Sequence, residues 1–324
     1  MTPSIPIVID TDVGADPDDA LAIVLALSSP EVELRGLTIV SGDVAWRGRI
    51  AARLLGMAGQ ADIPVFLGLG EPGRMSGAEG VGVLDESWDG PEARVAPTPA
   101  VDWLLDESRR RPFHLVAIGP LTNVAAAIAR DTGFARRLRG LTVMGGLLDV
   151  ATMPAAWRRA IRERGAAGWP DYNTMCDPEA ALTVARCGIP VTWVPLDVTM
   201  RAPLRRAARD ALPEGHPLGA ALGRAIDAWQ ASWFAAALPP PDDPYPVPHD
   251  AVAILHDPLA VAALFAGAWL RLRPARLAAE VAGGVFRLHE RPDGPPMRLA
   301  VEVDGVAFER FILERVARLA ASSA

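Results

Sequence analysis

Six short apolar, β-branched runs, at 5–10, 34–41, 63–69, 113–118, 141–145 and 189–194, lack the polar alternation of half-exposed strands. Strands of that kind are covered on both faces. Ala/Leu-rich stretches with helical spacing lie between them, at 18–28, 45–58, 100–108 and 178–185. This rhythm predicts an α/β fold: an open, mostly parallel sheet with helices on both faces and a Rossmann-like core. Ligands bind such sheets beyond the carboxyl ends of the strands, so the polar residues that follow each run are the ones to examine.

The 324 residues are 50% apolar and 22% charged, enough to bury a substantial core. The net charge is −7, and all 32 basic residues are arginine. With no basic run longer than 109–111, the chain is a poor partner for nucleic acid or an anionic membrane. Two cysteines, Cys176 and Cys187, are too few for a disulfide framework and fit a reducing compartment. The first residues lack the basic and long apolar regions of a secretion signal. The longest apolar stretches, 21–27 and 259–270, fall short of the roughly 20 residues that span a bilayer. A soluble, cytoplasmic protein is expected.

The segment 239–248 holds six of the 30 prolines and reads as a surface loop within a single domain of residues 1–324. The Arg-rich segment 151–170 reads as a polar helical excursion.

Asp10, Asp12, Asp16, Asp18 and Asp19 put five carboxylates within ten residues at the end of the first run. Gly14 permits a sharp turn, and Pro17 suits the first turn of a helix. Asp16 as a cap, with Asp18 and Asp19 complementing the helix dipole, leaves Asp10 and Asp12 unexplained. Crowded carboxylates repel unless a cation sits among them, and the first cationic side chain in the chain is Arg35. A bound hard cation, Ca²⁺ or Mg²⁺, is the economical answer for oxygen-only ligands.

An EF-hand loop beginning at Asp10 fails, having Ala15 at its sixth position and Leu21 at its twelfth. A haloacid-dehalogenase-type phosphatase would use Asp10 as nucleophile and Asp12 as acid with Mg²⁺, but that family also uses a lysine, and this chain has none. Asp10-Thr-Asp12-Val-Gly14 followed by Asp18-Asp19-Ala-Leu-Ala-Ile resembles the N-terminal signature of the calcium-dependent, inosine-uridine-preferring nucleoside hydrolases. The spacer Ala15-Asp16-Pro17 is longer than the usual one, which makes Asp16 a competitor for the role of Asp18.

Later segments match the same family in order. Ile118-Gly-Pro-Leu-Thr122-Asn123 resembles the loop whose Thr gives a carbonyl to calcium, and Val143-Met144-Gly-Gly resembles the strand end whose Met contacts ribose. Asp171-Tyr172-Asn173 resembles a Glu-aromatic-Asn motif that binds ribose hydroxyls. His256-Asp257-Pro258 resembles the late motif whose Asp closes the calcium shell and whose His lies near the leaving base. His249-Asp250 lacks the Pro and ranks lower. Trp229 and Trp233 share a helix face, where core packing and closure over the base both remain open.

The resemblance implies a nucleoside hydrolase fold that cleaves the N-glycosidic bond of ribonucleosides to base and ribose. It implies Ca²⁺ held by Asp12, Asp19, Asp257 and the Thr122 carbonyl, with the ion binding the attacking water and two ribose hydroxyls. Asp12 would take the proton of that water, and Asp18 and Asn173, supported by Asp171 and Met144, would grip the ribose. Asp10 would support the ligating carboxylates from behind, and His256 would serve as acid to the base. A homodimer or homotetramer is also implied. Four departures bear on substrate choice: Asp43 where the family has Asn, Ala151-Thr-Met-Pro154 in place of Asn-x-Thr-Pro, Asp171 for Glu, and Ser76 or Gly77 for a His. A non-catalytic calcium- or nucleoside-binding protein therefore stays open beside the hydrolase and the phosphatase.

Overall fold

Strand β1 (Ile5–Thr11) sits near the middle of a ten-stranded sheet, and its side chains show why its sequence runs apolar. Ile7 and Ile9 enter one buried cluster and Val8 enters the other, on the opposite face. A strand covered on both faces has no position that favours a polar side chain until its end. The computed structural model describes residues 3–70, 75, 77–84, 88–234, 247–265 and 267–322.

Strands β2 (Val32–Ile39), β3 (Val65–Leu67) and β4 (Val95–Ala96) extend the sheet on one side of β1, all parallel. The chain then crosses back, and β5 (His114–Ala117), β6 (Gly140–Met144) and β7 (Val191–Val194) extend it on the other side, again parallel. This reversal makes the carboxyl ends of β1 and β5 a topological switch point, where the connecting loops part and leave a crevice. The six expected strands are all present, with ends shifted by at most two residues.

The last third adds what the apolar runs do not announce. β8 (Pro203–Arg205) and β9 (Ala251–Ile254) form a separate antiparallel pair. β10 (Leu270–Ala282) and β11 (Val285–Glu290) pair antiparallel, and β12 (Pro296–Val303) joins β10 to β7. Their exposure is mixed along their length, as expected at the margin of a sheet.

Helices α1 (Asp18–Leu27), α2 (Val44–Met57) and α3 (Ala100–Arg110) fall close to the expected spans. They are followed by α4 (Thr122–Arg130) and α5 (Phe134–Arg137). The excursion holds α6 (Ala155–Arg164) between short 3₁₀ turns at Val150–Thr152 and Gly165–Gly168. Then come α7 (Tyr172–Cys176), α8 (Pro178–Ala185), α9 (Leu196–Thr199), α10 (Arg206–Asp210) and α11 (Pro217–Trp229). Finally, α12 (His256–Ala262) packs on α1, and α13 (Gly305–Ser322) closes the chain. Pro17 stands at the N-cap of α1, already helical at φ −76° and ψ −6°, and its carbonyl accepts from the Leu21 N–H at 3.0 Å. Most of 239–248 lies outside the described residues; Val247, within them, is buried rather than on the surface. No described helix is long and apolar enough to cross a membrane. Cys176 and Cys187 form no disulfide.

His114 opens β5 and shares a 2.8 Å hydrogen bond with Thr142 on β6. Burial first, and the nearby Arg298 charge second, push its pKa down to about 4. The unfolded chain therefore takes up a proton between pH 6.5 and 4 that the folded chain refuses, and stability is lost as pH falls through that window. The unfolding free energy should drop by about 3 kcal/mol more between pH 7 and 4 in the parent than in His114→Gln. Equal losses in denaturant titrations would remove His114 as the cause.

Candidate active site

The switch-point crevice opens into a cavity of about 1180 Å³, and the acidic cluster forms one side of it. β1 ends at Thr11, so Asp12 is the first residue beyond the strand, while Asp18 and Asp19 occupy the first turn of α1. Asp257 arrives from the first turn of α12, which packs on α1. Carboxylate oxygens of Asp18, Asp19 and Asp257 lie within 4.8 Å of one another, and all three residues are buried. The Asp257 N–H donates to Asp18 Oδ2 at 3.3 Å, which ties the two helix starts together.

Burial is the main force raising the pKa values of Asp18, Asp19 and Asp257 well above the carboxylate range, and the neighbouring carboxylates add to it. Asp16 is pushed up to about 7 by burial and by Asp19. Its Oδ1 accepts from the Asp18 N–H at 3.4 Å, a capping contact. A cluster of oxygen donors that is this costly to ionise fits a hard divalent cation, the one addition that would remove the repulsion.

The supporting bonds come from residues that sequence reading passed over. Asp10 is fully buried, and accepts from Thr38 Oγ1 and, at 2.8 Å, from Asn123 Nδ2. The β1–β2 register places Thr38 opposite Asp10. Burial still raises Asp10 to about 7. Thr11 Oγ1 donates to Asp19 Oδ1 and accepts from the Val13 N–H at 3.0 Å. The loop after β5 touches Asp12 directly: a Cβ on Gly119 would lie 2.8 Å from Asp12 Oδ1.

The expectation that no cationic side chain reaches the carboxylates fails at Arg47. The first turns of α2 fold over the end of β1 and bring its guanidinium Nη2 to 4.0 Å from Asp12 Oδ2. Burial raises the Asp12 pKa and Arg47 opposes that rise.

The expected ribose residues line the same cavity. Asp171 is buried; Oδ2 accepts from the Gly146 N–H and Thr174 Oγ1, while Oδ1 lacks a partner among the described residues. Asn173 Nδ2 donates to the Ile118 carbonyl at 2.8 Å and the Met144 carbonyl at 3.2 Å, joining the ends of β5 and β6. Met144, Asp171, Asn173, Trp229 and His256 all line the cavity. His256 Nδ1 shares a 2.7 Å hydrogen bond with Thr199 Oγ1, and burial lowers its pKa to about 4. Trp157 of α6 and the buried Trp169 also line the cavity, and neither was singled out from sequence.

Three of the expected site residues do not line the cavity, as suits Asp10, which was expected behind the ligating carboxylates. Asp10, Asp43 and Thr122 are not among the described residues that line the cavity. Asp43 is exposed and caps α2 by accepting from the Trp46 N–H at 2.9 Å. Thr122 Oγ1 donates to Asp177 Oδ2 at 2.7 Å, linking α4 to the cap of α8. His249 and Asp250 are exposed and outside the cavity. The Trp233 side chain and Ser76 lie outside the described residues. Because Asp10 is sealed behind the cavity, the phosphatase reading loses its nucleophile.

Residues 7–310 match the model of the inosine-uridine preferring nucleoside hydrolase family. The chain belongs to that family. It is 28% identical over 340 residues to probable uridine nucleosidase 2 of Arabidopsis thaliana, covering 96% of this chain and 97% of the relative. It is 32% identical over 239 residues to the pyrimidine-specific ribonucleoside hydrolase RihA of Klebsiella pneumoniae, covering 70% and 72%. Among solved structures, the purine-preferring ribonucleoside hydrolase from Gardnerella vaginalis superposes with a TM-score of 0.78 at 26% identity, covering 97% and 99%. The protein is a nucleoside hydrolase, an enzyme that breaks the N-glycosidic bond of ribonucleosides.

Gly119→Ala would bring its Cβ within 3.0 Å of the Asp12 carboxylate, the Asp12 backbone nitrogen and the buried Val40, and should lower both kcat/KM, about tenfold or more, and the melting temperature. A fully active Gly119→Ala enzyme would show that this close approach does not set the position of Asp12.

Proposed function

We propose that this nucleoside hydrolase works around a Ca²⁺ ion, with Asp12 as the general base. The observation that carries the reading is the buried Asp18–Asp19–Asp257 group beside Asp12, facing Asp171 and Asn173 across one cavity. Asp19 and Asp257 would hold the ion together with Asp12 and the Thr122 backbone carbonyl, and Asp18 stands in the same group. Bound there, calcium would supply positive charge that orients a water and ribose hydroxyls and lowers the water's pKa.

The residues of the chain do the rest. Asp12 accepts the proton of the attacking water. Asp18 and Asn173 hold ribose hydroxyls, and Asp171 offers its unpartnered Oδ1 to the same sugar. As the glycosidic bond lengthens, positive charge develops on the ribose, and the ring of carboxylates stabilises it. Asp10 does not touch the substrate; through Thr38 and Asn123 it fixes the end of β1.

His256 is the group offered to the leaving base. At pH 7 it is neutral, and we assign the tautomer in which Nδ1 accepts from the Thr199 hydroxyl, so that Nε2–H is the donor offered to the base. Trp229, Trp157 and Met144 supply apolar surface for a planar base. We read residues 1–324 as one catalytic domain of a cytoplasmic homodimer or homotetramer that acts on small-molecule nucleosides.

Ribose release from a panel of purine and pyrimidine nucleosides should require Ca²⁺ and stop after EDTA, and Ca²⁺ should raise the melting temperature. Silence from a folded, calcium-loaded protein on every nucleoside would favour a binding role. Asp12→Asn should lower kcat about 10³-fold with the fold intact; an active variant would sink its role as base. His256→Ala should slow natural nucleosides far more than a nitrophenyl riboside, whose leaving group needs no proton. Equal losses on both would remove His256 from the leaving-group side.

A further inference from the structure

Arg47 is only 4% exposed and lines the cavity, yet the chemistry above gives it no part. Its Nη1 donates to the Asp12 carbonyl and, at 3.2 Å, to the Val13 carbonyl, while Nη2 stands 4.0 Å from Asp12 Oδ2. One guanidinium thus holds both the backbone and the side chain of the same residue.

That residue needs holding. The last ladder bond beside β2 runs from the Val40 N–H to the Thr11 carbonyl at 3.0 Å, so Asp12 and Val13 lie beyond the sheet. Buried carbonyls there must find another donor. A planar guanidinium can serve two carbonyls and still face a carboxylate, which an ammonium of the same charge does less well. The neighbouring loop is shaped to admit it. A Cβ on Gly14 would overlap the guanidinium. Nε itself is buried without a hydrogen-bond partner among the described residues, so the side chain is not placed there to satisfy its own donors.

We propose that Arg47 is a positioning residue for the catalytic base: it clamps the Asp12–Val13 backbone beyond the end of β1 so that the Asp12 carboxylate faces the cavity. The proposal rests on the hydrolase reading. It carries a signature that loss of mere packing does not share. A fixed positive charge beside the carboxylates opposes a bound cation, so its removal offsets what metal binding loses when Asp12 shifts, and kcat should fall much further than Ca²⁺ affinity.

The test uses Arg47→Met, with Arg47→Lys as a second variant should the first fold poorly. Four quantities are read on each folded protein: kcat, KM, Ca²⁺ affinity by calorimetry, and kcat with added guanidinium at non-denaturing concentration. The expected result for Arg47→Met is a kcat lower by about 10- to 100-fold with KM within about twofold. Ca²⁺ affinity should change by no more than about threefold, far less than kcat, and guanidinium should restore part of the lost rate. Arg47→Lys should fall between the parent and Arg47→Met. An undiminished kcat in either variant overturns the proposal. So does a parallel loss of kcat and Ca²⁺ affinity that guanidinium does not repair. A parent enzyme that is inactive on every nucleoside overturns the hydrolase reading itself, and the role of Arg47 with it.

Discussion

The repulsion among buried carboxylates at the end of β1 is the constraint that the surrounding structure answers. Asp12, Asp18, Asp19 and Asp257 are all withdrawn from water, and each is costly to ionise. Such a cluster persists in a folded protein only if other groups hold it and something draws its charge together. Thr11, Thr38, Asn123 and Arg47 do the holding, each from a different strand, loop or helix. The cavity they help to shape brings these carboxylates to one place. In the proposed mechanism the feature that strains the fold is also the one that meets a sugar losing its base.

Sheet order explains how so many elements meet at one point. β1 is flanked by β2 and β5, and the chain reverses its direction of travel across the sheet between β4 and β5. Asn123 shows the effect in a single side chain: it donates to Asp10 and to the Ile39 carbonyl, while its Oδ1 accepts from the Leu69 N–H at 2.8 Å. Residues from the ends of β1, β2 and β3 are thus tied to the start of α4. Asn173 does the same for the ends of β5 and β6 on the ribose side.

Much of this was legible in the sequence, for identifiable reasons. Buried parallel strands write themselves as unbroken apolar runs, and all six were found. The five aspartates stand out because the composition offers no local reason for them, and the motifs around Asn173 and Asp257 lie in family order. Arg47 was missed because its contact depends on how α2 crosses β1, which spacing along the chain does not encode. Thr11 and Thr38 were missed because a buried threonine looks like any other β-branched strand residue. Asp43 stands in a motif of the right shape, yet its side chain caps α2, a use that a motif alone does not separate from ligand binding. β10 and β11 were missed because marginal antiparallel strands carry mixed exposure and few unbroken apolar runs.

The hairpin of β10 and β11 gives the cavity wall a distant support. Gly284, at its tip, packs on Ala166, Arg287 stacks 5.8 Å from the Trp169 ring, and Leu288 lies against Gly146. On the opposite side, Asp18 meets the backbone of Asp257 across 239 positions of sequence. A growing chain therefore builds the carboxylates first and must wait for its final third before either side of the cavity is complete. Until then Asp18 and Asp19 are a loose acidic turn on a helix with no α12 to cover it. Assembly of the site is tied to the most non-local contacts of the fold, a kind of contact that slows folding.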